Sequence, residues 1–225
     1  MPLIAPAELL SRHGRTFADQ AGITLRDEPA PLFQLVVLTQ LSSVRIGAEV
    51  AARAAGELFA AGWRTPARLR ASTSRQRIDA LGRGGYRRYD ISTAAHLAEL
   101  AAHVLDEVGG DLRAWRPTSY DDVPGLERRL RTLPRIGPTG ASIFCREVQA
   151  VWPEVRPYVD ARSRRAAAAL GYPSDPQELA ALVPTERFAE LTSALVRWSL
   201  TPEAKAEARR QRLNPSTSGR RSSRG

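Results

Sequence analysis

The stretch Leu133–Phe144, LPRIGPTGASIF, decides how the rest of the chain is read. It lies between two segments whose apolar residues recur at helical spacing, yet it cannot continue either of them. Pro134 and Pro138 each lack an amide donor and fix φ, so a helix running through them would break. The segment reads as a tight hairpin, with a new helix starting near Thr139 or Gly140. Such a turn points unpaired backbone N–H groups outward at a helix N-terminus, which makes an anion site. A corner that only packs two helices together would use the same residue types.

On the N-terminal side of the hairpin, Leu126, Leu130 and Leu133 fall on one helical stripe; beyond it, Ala141, Phe144, Val148 and Val151 form another. Further on, the spacing predicts a helix from about Ala161 to Leu170 with Asp160 as its N-cap, and one more over Glu186–Leu200. Upstream, the apolar run from Leu32 to Gly62 is too long for strands and reads as two buried helices broken around Ser42–Gly47. Thr65-Pro66 is a start signal for a further helix. The segment GRGGYRRYD is a basic, glycine-rich loop. After it, Leu97, Leu100, Ala101, Val104, Leu105 and Val108 share one face of a helix that Gly109-Gly110 ends. No convincing period-2 alternation occurs, so the chain is expected to be all-α.

The 225 residues suffice to bury a sizeable core. No apolar run approaches the ~20 residues that span a bilayer, and the first residues lack the basic-then-apolar order of a signal peptide, so a cytoplasmic location is expected. Cys145 is the only cysteine, which excludes an internal disulfide and any cysteine-ligated zinc or iron–sulfur site. It reads as a small buried hydrophobe. A net charge of +9 points to a polyanionic partner. Lys205 is the only lysine; every other basic side chain but the histidines is arginine, which cannot act as an amine nucleophile. His96 and His103 lie ~10 Å apart along their helix, too far for a metal-binding pair, and read as solvated flank residues. Asp160 precedes Arg162, Arg164 and Arg165, and its plain reading is an N-cap salt-bridged to a neighbouring arginine.

Taken together in order, three pieces resemble the endonuclease III-like, helix–hairpin–helix (HhH-GPD) superfamily of DNA glycosylases. LRTLPRIGPTGASIFCREV followed by PYVDARSRRAAAALG is similar to its helix–hairpin–helix and downstream aspartate. PLFQLVVLTQLSSVRIGAEVAARAAGELF resembles its early apolar helix and break, and GGYRRYDISTAAHLAELAAHVL its Gly-aromatic turn and following helix. The resemblance covers roughly residues 30–172. It implies that the amides of Gly137, Thr139 and Gly140 grip a DNA phosphate with Arg135 beside them, that Asp160 is catalytic, and that Arg165 contacts DNA. The residue filling the gap left by a flipped base falls near Ser43–Arg45, and Arg45 is assigned to it. The implied layout has two helical lobes: a central one over residues 32–153, with the helix–hairpin–helix at about 126–151, and a second from 1–31 and 154–200. Residues 201–225 form a basic tail rich in Ser, Gly and Pro, expected to be disordered at least after Pro215.

Two departures set the expected chemistry. Thr139 stands where strand-cleaving members carry their Schiff-base lysine, and the four-cysteine cluster is absent. The resemblance therefore implies a monofunctional DNA N-glycosylase of base-excision repair, without metal or cofactor, acting as a monomer on duplex DNA with damaged or mispaired bases, in the bacterial cytoplasm at the nucleoid, with no membrane contact. The alternative is a non-catalytic DNA-binding module that keeps the hairpin but has lost base excision. Besides Lys205, the one other amine to consider is Pro2, should Met1 be removed.

Overall fold

The computed structural model describes residues 3–44 and 46–206, and all regular secondary structure among them is helical. Near the N-terminus lie α1 (Pro6–His13) and α2 (Phe17–Gln20), followed by α3 (Pro29–Ser42) and α4 (Ala48–Ala60). Then come α5 (Pro66–Ala71), α6 (Ser74–Arg83) and the long α7 (Asp90–Val108). The hairpin joins α8 (Val123–Leu130) to α9 (Pro138–Val148), and α10 (Ala161–Leu170), α11 (Pro176–Ala180) and α12 (Phe188–Trp198) complete the set.

The apolar side chains fall into two buried clusters. The larger gathers α2 through α9, with Leu32, Phe33, Leu35, Val36, Val37 and Leu38 of α3 all fully buried. Because α3 is apolar around its whole circumference, it must be enclosed on every side; it packs on α4, α9 and α7. The smaller cluster brings Leu9 and Leu10 of α1 against α10 and α12, with Leu170, Phe188, Leu191 and Leu195 at its centre. Glu147 of α9 joins the two: it accepts a hydrogen bond from the Ala18 amide (3.0 Å) and one from the Ser193 hydroxyl (3.0 Å).

Local signals place the helix ends. Thr65 caps α5, and Thr73 opens α6 with a reciprocal capping box to Gln76. The single helix expected from Thr65 is thus two, parted at Ser72–Thr73. Gly84 in the GRGG loop lies so close to α4 that a Cβ there would stand 2.4 Å from Ala54 Cα. This glycine therefore serves backbone contact between loop and helix, and any larger residue would push the two apart.

Candidate nucleic-acid interface and buried carboxylate

The hairpin is built as its prolines demand. Leu133 O accepts from the Ile136 amide at 3.1 Å, and Gly137 O accepts from the Ala141 amide at 3.0 Å, starting α9. Pro138 occupies the first helical turn, where its missing N–H costs nothing. The amides of Gly137, Thr139 and Gly140 find no acceptor among the described residues, and no side chain caps this terminus. Gly137 and Thr139 are exposed. Gly140 is buried: a Cβ there would lie 2.6 Å from Ser43 Oγ and 2.9 Å from Ile136 Cγ2, so any larger residue would force Ser43 or Ile136 to shift where the hairpin seats on the end of α3. Arg135 has φ of 62°, the left-handed region that costs an L side chain ~1–2 kcal/mol. It is exposed and has no ionic partner among the described residues.

Asp160 is the N-cap of α10. Its Oδ1 accepts from the Arg162 amide (2.8 Å) and the Ser163 amide (2.7 Å), and its Oδ2 accepts from Arg146 Nη1 at 2.6 Å. With Asp160 7% exposed and Arg146 4%, this is a buried ion pair. Burial pushes the Asp160 carboxyl up, but the Arg146 charge and the Ser163 hydrogen bonds outweigh it and hold it below the usual carboxylate range. Three hydrogen bonds, one of them from a cation, favour the ionised carboxylate and fix its orientation.

Arg146 is the residue that sequence reasoning missed. The expected partner of Asp160 was an arginine of its own helix, but Arg162, Arg164 and Arg165 are exposed, because α10 turns Ser163, Ala166, Ala167 and Leu170 inward. The capping side chain faces inward too and meets α9. Nothing in CREV distinguishes Arg146 from a solvated flank residue; α9 buries both Arg146 and Glu147 because α3 covers one of its sides and α12 another. Arg146 also lies 3.4 Å from Glu147 and has its guanidinium carbon 5.3 Å from the Phe17 ring centroid.

The histidines depart from expectation. His96 is half-buried and its carbonyl accepts from Gln40 Nε2 at 3.3 Å, while His103 Nε2 is buried without a hydrogen-bond partner among the described residues. The apolar stripe of α7 understates its coverage, because α5, α6 and α3 all pack on it. Cys145 is fully buried, and burial pushes its thiol well up, so it is an unreactive packing residue. Lys205 is exposed in a helical turn whose Ala204 joins the smaller cluster. Arg45, Pro2 and residues 207–225, with the tail expected to be disordered, lie outside the described residues.

The structure thus gathers Arg135, Gly137, Thr139 and Gly140 on one turn. Asp160 meets α9 through Arg146, a residue ~10 Å along that helix from Thr139 at 1.5 Å per residue. No group of three potential metal ligands occurs among the described residues, and no described helix is long and apolar enough to cross a membrane.

Comparison of the sequence with protein-family models and with curated proteins finds no match. Among solved structures, the chain is similar to one described as a trapped endonuclease III–DNA covalent intermediate in an estranged-adenine complex. The identity is 17%, over 91% of this chain and 93% of that chain, with a TM-score of 0.48.

Proposed function

We propose that the protein binds duplex DNA through the α8–α9 hairpin and acts on it as a monofunctional base-excision N-glycosylase. The observation that carries the binding is the turn of exposed Gly137 and Thr139 and buried Gly140, whose three amides have no acceptor among the described residues, next to Arg135, which has no ionic partner among them, in a chain of net charge +9. Backbone donors at a helix N-terminus match a phosphate group and carry no sequence preference. Exposed Arg162, Arg164 and Arg165 on α10 add cationic surface without ion-pair partners among the described residues.

For the chemistry, a carboxylate held ionised by fixed donors is suited to stabilising the cationic sugar that forms as a base departs, since it needs no reorganisation. Thr139 has no amine, so excision leaves an intact abasic strand. Arg146 sets the condition for this role: it must yield Oδ2 as the sugar arrives. That same contact favours the second reading, a binding module in which Asp160 is a structural cap.

The two readings separate in one assay. Duplexes each carrying one lesion or mismatch are incubated with the protein and then treated with hot alkali or left untreated. The glycosylase reading predicts strand breaks on one or more substrates only after alkali, with at least ~100-fold slower release by Asp160→Asn assayed well below its melting temperature. Duplex binding without excision across the panel establishes the second reading.

A further inference from the structure

The buried Arg146 guanidinium touches two carboxylates, not one. Its Nη1 donates to Asp160 Oδ2 at 2.6 Å, and its Nε lies 3.4 Å from Glu147 Oε1. Glu147 is the more deeply enclosed of the two, at 1% exposed, and it does not depend on Arg146 for its place. Its Oε2 accepts from the Ala18 amide and its Oε1 from the Ser193 hydroxyl, both at 3.0 Å. These neutral donors, from α2 and α12, fix the carboxylate without cancelling its charge.

The contact to Glu147 is the longer one, so Arg146 rests mainly on Asp160. Taking Asp160 away from that contact would leave a cation in a dry interior, and a buried charge without a partner is costly. Glu147 is placed to prevent this. It is already in ionic contact and is held from two other elements. Closing 3.4 Å to the ~2.8 Å of a charge-assisted hydrogen bond needs only a small shift of the guanidinium. The other charged group at this place is Arg197 of α12. Its guanidinium carbon lies 4.2 Å from the Phe17 ring centroid, where that of Arg146 lies at 5.3 Å. It donates to Arg15 O, Thr16 O and Gln20 Oε1, and as a cation it can accept nothing from Arg146.

We propose that Glu147 is a positioning residue for Asp160: it takes up the Arg146 guanidinium when Asp160 Oδ2 turns to the cationic sugar, so that the carboxylate is released without stranding a buried cation. Its use in excision rests on the glycosylase reading above; the transfer of Arg146 from one carboxylate to the other does not.

Stability tests the transfer. Urea unfolding is measured for the wild type, Asp160→Asn, Glu147→Gln and the double variant. In the Glu147→Gln background the guanidinium has no carboxylate to turn to once Asp160 is replaced. Asp160→Asn should therefore lower the unfolding midpoint at least ~1.5 times as far there as in the wild type. A Glu147 that only holds Ala18 and Ser193 gives additive losses, and additivity overturns the proposal. Excision tests the use of the transfer. On a duplex that the wild type processes, Glu147→Gln should slow base release in single turnover at least ~10-fold, with duplex affinity within ~2-fold of wild type. An unchanged rate of base release overturns the role in the reaction. Glu147→Asp, which keeps the charge but draws it back by one carbon, should show both effects in smaller measure, and it carries the test if Glu147→Gln does not fold. Absence of excision by the wild type on every substrate overturns the glycosylase reading and the kinetic role with it, while non-additive stabilities still establish the transfer of Arg146.

Discussion

Asp160 holds two positions at once, a helix cap and one half of a buried ion pair, and this decides what its replacement does. Asparagine is a good N-cap and keeps the amide bonds, but it takes away the shorter of Arg146's two ionic contacts and leaves only the one to Glu147 at 3.4 Å. Removing one partner of a buried pair costs about 3–5 kcal/mol, so Asp160→Asn is expected to lower the melting temperature at neutral pH. Because the folded-state pKa is lowered, the stabilisation is fully present above the unfolded value near ~3.9 and is lost as pH falls through the folded value. Melting curves of both proteins should therefore lie well apart at pH 7 and converge on acidification below about pH 4. A gap that does not narrow would mean that the ion pair is not what the variant loses. The sequence made Asp160 legible as a cap because a cap is local: an aspartate before an alanine-rich helical run. Its true partner was not legible, since pairing with Arg146 depends on two helices meeting and on α12 covering the flank of α9.

At the scale of elements, the hairpin divides its glycines by role. Gly140 meets the end of α3, and a methyl there collides with Ser43 Oγ, itself held by a 2.7 Å bond to Thr39 O. Gly137 has an ordinary extended φ of −92° and open space around it. Gly140→Ala should therefore destabilise the fold by about 1–3 kcal/mol, as overpacking does, while Gly137→Ala should leave the melting temperature nearly unchanged. Equal melting temperatures for the two variants would contradict the seating of the hairpin on α3. In the sequence the two glycines look alike. The hairpin itself was readable, because two prolines four residues apart leave the backbone few choices. The same holds for α3, α4 and α7, whose apolar patterns are long. The short α1, α2 and α11 carry too few periodic residues to stand out.

For the whole molecule, two buried clusters are joined through α9 and α12, and the hairpin turn of a basic chain carries donors without acceptors among the described residues. The helical class follows from the sequence because helical periodicity recurs along nearly its whole length. The meeting of distant segments does not: Gln40 of α3 donates to Pro134 O of the hairpin and His96 O of α7, and only folding brings the three together. The claim that ties the molecule to DNA is that the turn's amides hold a phosphate. It is tested most directly by fluorescence-anisotropy titration of unrelated duplexes at two ionic strengths with wild type and Gly137→Asp, which places a carboxylate in open space at the turn. The account predicts wild-type affinity that falls steeply with salt, and a folded variant weakened at least ~10-fold on every duplex alike. A folded Gly137→Asp protein that binds as tightly as wild type would contradict it.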